Sequence, residues 1–130
     1  MLITKESDYA VRIIRELSRG GRETVQTICR NERIPQPYGY KILKKLEKKG
    51  LVTSFRGAKG GYSLLGNPEK MTLFDVFTAV DGNLLLTECM GPKRECPMNS
   101  EGRCRVHGEF SRLQELLLQG LKERPLTEIL

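Results

Sequence analysis

The chain has no tryptophan, only one histidine, His107, and just four Phe and four Tyr as its other aromatic rings. A lone histidine leaves no His-based acid–base pair and no multi-histidine metal site, so general acid–base chemistry has little to work with. No glycine-rich phosphate loop follows a strand, because Gly60-Gly61 lies between two short β-forming runs. An enzyme is therefore not expected. Nor does any apolar run approach the roughly 20 residues that a membrane helix requires, and no membrane association is expected. The opening Met1-Leu2-Ile3-Thr4-Lys5-Glu6-Ser7-Asp8 holds two acidic residues and no apolar stretch of signal-peptide length, which points to a cytoplasmic chain. In that reducing compartment four cysteines argue for metal or redox chemistry rather than disulfides.

What is present is a soluble composition, 38% hydrophobic and 29% charged, over 130 residues, enough for one compact core. The charge is uneven. Residues 1–60 carry 14 Lys and Arg against 6 Asp and Glu, whereas residues 61–130 carry 8 against 10. A basic half joined to a mildly acidic one is the footprint of a polyanion-binding surface beside a region with another duty.

Ala10, Ile13, Ile14 and Leu17 recur at helical spacing, and Gly20-Gly21 closes that helix. Thr24 can cap a second, short helix whose inward positions are Val25, Ile28 and Cys29, and Ile34-Pro35 ends it. A third helix runs from Gln36 to about Lys49, with Tyr38, Ile42, Leu43 and Leu46 inward, Lys41, Lys44, Lys45 and Lys48 outward, and Gly50 as its stop. Leu51–Phe55 and Tyr62–Leu65 flank the turn Arg56-Gly57-Ala58-Lys59-Gly60-Gly61 and form a hairpin. The expected fold is mainly α with a small β-hairpin, a winged helix-turn-helix whose third helix enters the DNA major groove. Thr72 and Asp75 open a fourth helix as a capping box, with Leu73, Val76, Phe77 and Val80 inward. Residues from about Thr87 to Val106 have no period. Beyond them Val106, Phe110, Leu113, Leu116, Leu117 and Leu121 mark one apolar face of a long C-terminal dimerisation helix, with Phe110, Leu113, Leu117 and Leu121 as the homodimer seam. Function then divides one compact domain into a DNA-binding region, 1–82, a cysteine-rich loop, 83–107, and a dimerisation helix with tail, 108–130.

Cys89, Cys96, Cys104 and His107 fall within 19 residues as C-x6-C-x7-C-x2-H. Three thiolates and an imidazole can complete a metal shell, and an irregular loop can deliver them from different directions. Scattered inert cysteines would instead be buried singly in apolar sequence. Zinc usually shows paired hooks of two to four intervening residues, and only Cys104-x2-His107 has that spacing, so the wide gaps suit an iron–sulfur cluster better than zinc. Cys29 reads as a small core residue, and Asp8 as a first-turn acid favoured by the helix dipole.

On the third helix, Gln36, Tyr40 and Lys41 are candidates for base edges, and Lys44, Lys45 and Lys48 for phosphates of a double-stranded DNA operator. A charge run alone is usually a solvated face. The helix-turn-helix before it, and Arg56 and Lys59 on the hairpin turn, raise it to a DNA surface, with Arg56 shaped for a minor groove.

The run Arg56-Gly57-Ala58-Lys59-Gly60-Gly61-Tyr62-Ser63-Leu64, then Pro68 and Met71–Gly82, resembles the wing and linker of the Rrf2 family of bacterial transcription regulators. Ile3–Ala10, Ile34-Pro35, Lys49–Val52 and Pro125–Leu130 are similar too, so the resemblance covers essentially the whole chain. It implies a winged-helix homodimer paired through its last helix, and an iron–sulfur cluster held by Cys89, Cys96 and Cys104. It also implies a fourth ligand: His107 with a two-iron two-sulfur cluster, the favoured form, or Asp8 of the partner subunit with a four-iron four-sulfur cluster. The expected function is operator binding controlled by a cluster that senses iron, redox state or nitric oxide. The alternatives are a structural zinc site and a cluster-free thiol-redox regulator. Gly39 stands where the family usually has leucine, implying a less rigid third helix, and Arg33 stands where it has a turn glycine.

Overall fold

The computed structural model describes residues 3–92, 96, 98 and 104–130. Among the described residues, five α-helices and one hairpin follow in the order α1 (Lys5–Ser18), α2 (Val25–Glu32), α3 (Gln36–Lys48), β1 (Val52–Phe55), β2 (Gly61–Leu64), α4 (Leu73–Asp81) and α5 (Arg105–Glu123). Short 3₁₀ turns occupy Glu88–Met90 and Leu126–Glu128.

Helices α1, α2 and α4 each start at a threonine whose side chain takes part in the cap, where backbone N–H groups would otherwise be orphaned, while α3 starts at Pro35 with no side-chain cap. Thr4 and Ser7 cap α1 reciprocally, with Ser7 N donating to Thr4 Oγ1 at 3.1 Å and Thr4 N to Ser7 Oγ at 3.3 Å. Thr24 Oγ1 accepts from Thr27 N at 3.2 Å at the start of α2. At α4 the Asp75 carboxylate accepts from both Thr72 N, at 2.8 Å, and Thr72 Oγ1, at 2.9 Å. Arg33 ends α2 at φ 54°, the only non-glycine at positive φ among the described residues. That conformation costs about 1 kcal/mol for a residue with a Cβ.

Ala10, Ile13 and Ile14 of α1, Ile28 of α2, Ile42, Leu43 and Leu46 of α3, Val76 of α4 and Leu126 of the tail are wholly buried in one core. Each large aliphatic side chain there contributes about 1.5–3 kcal/mol by leaving water. Leu126 N donates to Met71 O at 2.7 Å, returning the C-terminal tail to the start of α4. β1 and β2 pair antiparallel, Val52 opposite Leu64 and Phe55 opposite Gly61, and Glu23 bridges to Tyr62 on the outer edge of β2.

Two expectations change. Tyr38 does not point inward: it is 42% exposed and meets Tyr9 edge-on, with ring centroids 5.7 Å apart. The buried position at that level of α3 is Gly39, and a Cβ there would lie under 3.0 Å from Cys29 Sγ. The sulfur of α2 fills the volume that a larger residue at 39 would need, so Gly39 is a fitted half of a helix–helix contact, not a lost core side chain. Cys29 is the core residue its position implied, 3% exposed, and burial pushes its thiol pKa up.

Helix α5 is different. Gln114 and Leu121 are its buried residues, while Val106, Leu113 and Leu116 are exposed.

Candidate functional site

Gln36, Tyr40, Lys41, Lys44 and Lys48 lie on the exposed side of α3, and Lys45 is half-buried. Tyr40 Oη accepts from Gln26 Nε2 of α2 at 3.1 Å, bracing the two helices of the helix-turn-helix on its outer surface. Lys44 and Lys48 form no ion pair among the described residues. Lys41 and Lys45 both meet Glu6 in the first turn of α1, Lys45 Nζ at 2.6 Å from Glu6 Oε2, and Lys45 also donates to Val80 O at 3.0 Å. The Lys41 hydrogen bond, with that of Lys45, holds the Glu6 carboxyl below its usual range, and Glu6 in turn raises Lys41. The basic face is thus graded: two lysines are uncommitted, and two are tied to a carboxylate. Sequence periodicity missed Glu6. Its one signal was an acid standing in a strongly basic half.

Two further polar residues connect this face to the rest of the chain. Asp81, the last residue of α4, accepts from Thr4 Oγ1 at 3.1 Å and from the fully buried Ser7 hydroxyl. The cap of α1 therefore grips the end of α4. Gln114 of α5 pairs with the backbone beyond α4, accepting from Leu86 N at 2.8 Å and donating to Leu84 O.

The cysteine-rich segment contributes a partial constellation. Cys89, in the turn Glu88–Met90, has Thr87 Oγ1 3.0 Å from its Sγ and His107 Nδ1 3.7 Å from it. Cys104 is the N-cap of α5, its Sγ accepting from His107 N at 3.4 Å. Cys89, Cys96, Cys104 and His107 are all half-buried, and residues 93–95, 97 and 99–103 of this segment lie outside the described residues. No group of three or more His, Cys, Asp or Glu is gathered at metal-binding distance among the described residues. The donor chemistry nonetheless fits. Bonds of about 2.3 Å to sulfur and about 2.1 Å to nitrogen at a tetrahedral ion put two ligands about 3.6 Å apart, close to the Cys89–His107 separation of 3.7 Å. Asp8 stands apart from this group. It is exposed on α1 and ion-paired with Arg12 at 2.8 Å, as a first-turn acid.

On α5, Phe110 and Leu117 are half-buried, Leu113 is 39% exposed, and Leu121, at 9%, packs into the chain's own core. The hairpin turn carries Arg56 and Lys59, both exposed. Neither they nor the α3 residues form a catalytic constellation, and no helix among the described residues is long and apolar enough to cross a membrane.

Comparison with known proteins follows the same lines. The profile of the Rrf2 family, described as iron-dependent transcriptional regulator, matches residues 3–130. The HTH-type transcriptional regulator IscR of Yersinia pseudotuberculosis serotype O:1b (strain IP 31758) is 30% identical over 132 residues, covering 99% of this chain and 79% of that protein. Two solved structures share the fold. T. potens IscR superposes with a TM-score of 0.76 at 20% identity, covering 97% of this chain and 83% of that one. CymR (YrzC), the global cysteine regulator of B. subtilis, superposes with a TM-score of 0.73 at 22% identity, covering 98% and 94%. The fold is therefore the winged helix-turn-helix anticipated from the helix and hairpin pattern, and the chain belongs to the Rrf2 family of transcriptional regulators, a regulator and not an enzyme.

Proposed function

We propose that this chain is a homodimeric regulator that binds an operator in double-stranded DNA, with an affinity set by an iron–sulfur cluster responding to iron, redox state or nitric oxide. The observation that carries the sensing half is the approach of Cys89 Sγ to His107 Nδ1, in the first turn of α5 that Cys104 caps through the His107 backbone N–H. Cys89, Cys96, Cys104 and His107 would hold the group, a two-iron two-sulfur cluster being favoured. Asp8 of the partner subunit, the other candidate fourth ligand, would suit a four-iron form. Bound there, a cluster supplies iron that oxidants and nitric oxide can attack. Cytoplasmic placement belongs to the same reading.

The functional division is into a DNA-binding region, 1–82, a ligand loop, 83–107, and a pairing helix with tail, 108–130. In the first, Gln36, Tyr40 and Lys41 approach base edges, Lys44, Lys45 and Lys48 approach phosphates, and Arg56 and Lys59 approach the groove beside the wing. Cys89 lies in the turn Glu88–Met90 and Cys104 and His107 lie at the start of α5, with Cys96 between them in the sequence, so holding the ligands together fixes the turn against the helix. That turn follows the segment paired with Gln114, which follows Asp81, held by Thr4 and Ser7 at the start of α1. Glu6 in the same turn of α1 holds Lys41 and Lys45 of α3. A change at the ligands thus has a route of chain continuity and polar contacts to the recognition helix. A coupling of about 1–3 kcal/mol would alter operator affinity roughly 5-fold to 150-fold. Half-sites about one helical turn apart tolerate little change in the spacing of two recognition helices.

The test is an absorption spectrum and an anaerobic operator titration at one salt concentration. Brown protein with visible bands, lost in each of Cys89→Ala, Cys96→Ala and Cys104→Ala with a shift in affinity matching iron removal, is expected. Cys29→Ala should change neither, and His107→Ala against Asp8→Ala identifies the fourth ligand. Colourless protein holding one zinc overturns the cluster in favour of a structural site. Metal-free protein whose affinity follows thiol oxidation overturns it in favour of a thiol switch. Equal affinity in all forms overturns sensing altogether.

A further inference from the structure

A two-stranded hairpin is marginal on its own, and an arginine at its tip reads a groove only if the tip is held. The chain supplies that support from the connection between α1 and α2. Arg22 lays its guanidinium 3.5 Å from the centroid of the Phe55 ring and donates Nη1–H to Lys59 O at 2.7 Å. Phe55 is the last residue of β1, and Lys59 stands on the far limb of the turn, so one side chain spans the mouth of the hairpin with Arg56 between its two attachment points. The next residue adds backbone. Glu23 N donates to Tyr62 O at 3.0 Å, and Tyr62 N donates to Glu23 O at 2.8 Å. Gly61 permits this approach: its φ is +138°, and a Cβ there would fall 2.5 Å from Glu23 O.

We infer that Arg22 is a positioning residue for the wing, clamping the 56–59 turn in the orientation from which Arg56 meets DNA. The inference deepens the DNA-binding reading above and rests on it. The task suits arginine and not lysine, because a planar guanidinium can stack on a ring while its edge donates to a carbonyl. Glu23 and Tyr62 hold the base of the wing and Arg22 holds its tip. Nothing in the charge count or periodicity of the sequence marked Arg22, whose partners lie more than thirty residues downstream.

The decisive variant is Arg22→Lys, which keeps the charge and removes the fork. Full-length, anaerobically purified protein would be titrated by fluorescence anisotropy over a salt series. The probes are a duplex selected by the protein from a random pool and an unselected duplex. A clamp predicts that Arg22→Lys weakens the selected duplex about tenfold, the size of one specific groove contact, and leaves the unselected duplex and the salt slope unchanged. In an Arg56→Ala background the same change should add little, since the residue being positioned is gone. A direct phosphate contact predicts the reverse: Arg22→Lys near wild type, and Arg22→Gln weakening both duplexes equally with a slope lower by about 0.9. That pattern overturns the inference. Amide exchange of residues 57–60 without DNA gives an independent arm. Exchange must accelerate in Arg22→Lys while the α1 and α3 amides stay protected. Unchanged exchange at the turn overturns the clamp even if wild-type protein proves to have no operator preference, an outcome that separately defeats the DNA-binding reading.

Discussion

The contact between Gly39 and Cys29 offers a test in which two individually harmful substitutions should rescue each other. Gly39→Ala removes the backbone-entropy penalty of a mid-helix glycine, worth about 1 kcal/mol in favour of the folded state. It also sets a Cβ under 3.0 Å from Cys29 Sγ, a separation real Cβ atoms essentially never show. Overpacking of that kind costs about 1–3 kcal/mol, so the single variant should be destabilised by up to about 2 kcal/mol. Cys29→Ala deletes one buried heavy atom and leaves a small void between α2 and α3, at about 1 kcal/mol by analogy with the loss of a single methyl. In the double variant the new Cβ occupies the space the sulfur vacated, and the helix gain remains, so stability should rise about 1 kcal/mol above the wild-type value. The two single costs therefore fail to add by about 2–4 kcal/mol. Urea unfolding at fixed protein concentration resolves this, since with a slope of about 2 kcal/mol per molar a 2 kcal/mol change moves the midpoint by about 1 M. A double variant equal to the sum of the singles within about 0.5 kcal/mol would refute the packing argument.

Three further outcomes follow from the same geometry. Glu6 has a folded-state pKa below the ordinary 4.5, so its pairing with Lys41 and Lys45 stabilises the fold above that value and is lost as pH falls through the folded pKa. Glu6→Gln should flatten the loss of stability between about pH 5 and about pH 3 in acid titrations followed by circular dichroism, and an unaltered profile would count against the pairing. On DNA, Lys44→Ala should lower the slope of log K against log salt by about 0.9, while Glu6→Gln, by releasing Lys45, should raise it by a similar amount; a shared direction of change would misassign one face. If α5 is the proposed pairing helix, Leu113→Asp, placing a charge on its exposed side, should give monomers or aggregates in sedimentation, because each seam leucine would contribute about 1.5–3 kcal/mol, and a soluble dimer would move the seam elsewhere.

Local structure was legible because its causes are local. The apolar spacing Ala10-Ile13-Ile14-Leu17 gave α1, the hydroxyls of Thr4, Thr24 and Thr72 stand at three helix starts, and Gly50 follows the end of α3. Tyr38 misled because the wheel of α3 offers two adjacent inward candidates, and size favours the ring. The choice of Gly39 is made by a sulfur on α2, which no property of the α3 sequence records. The polar contacts that organise the site were illegible for the same reason. Glu6 to Lys41, Arg22 to Lys59, Gln114 to Leu84 and Thr4 to Asp81 span 35, 37, 30 and 77 positions, far outside any helical or strand period. The cysteines fall between these cases. Their type and crowding suggest metal or redox chemistry, while the adjacency of Cys89 to His107 depends on how the turn at Glu88–Met90 packs on α5.

That packing also explains why the pairing helix and the sensing loop would act as one piece under the proposed function. Helix α5 is anchored to its own chain at Leu121 and through the Gln114 amide, while Cys104 and His107 sit in its first turn, about two turns of helix away from that amide. A displacement at the ligand end is therefore a lever about the Gln114 contact, from which the route through Asp81 and Glu6 to α3 also starts. The exposed apolar side at Val106, Leu113 and Leu116 would carry the same displacement to the partner subunit. Gln114→Leu tests whether that amide is the pivot on which both the lever and the route to α3 depend. It keeps the side-chain bulk but cannot donate to Leu84 O or accept from Leu86 N, so it should leave the absorption spectrum intact while shrinking the affinity difference between cluster-loaded and cluster-free protein. An undiminished difference would show that the lever does not turn on that amide.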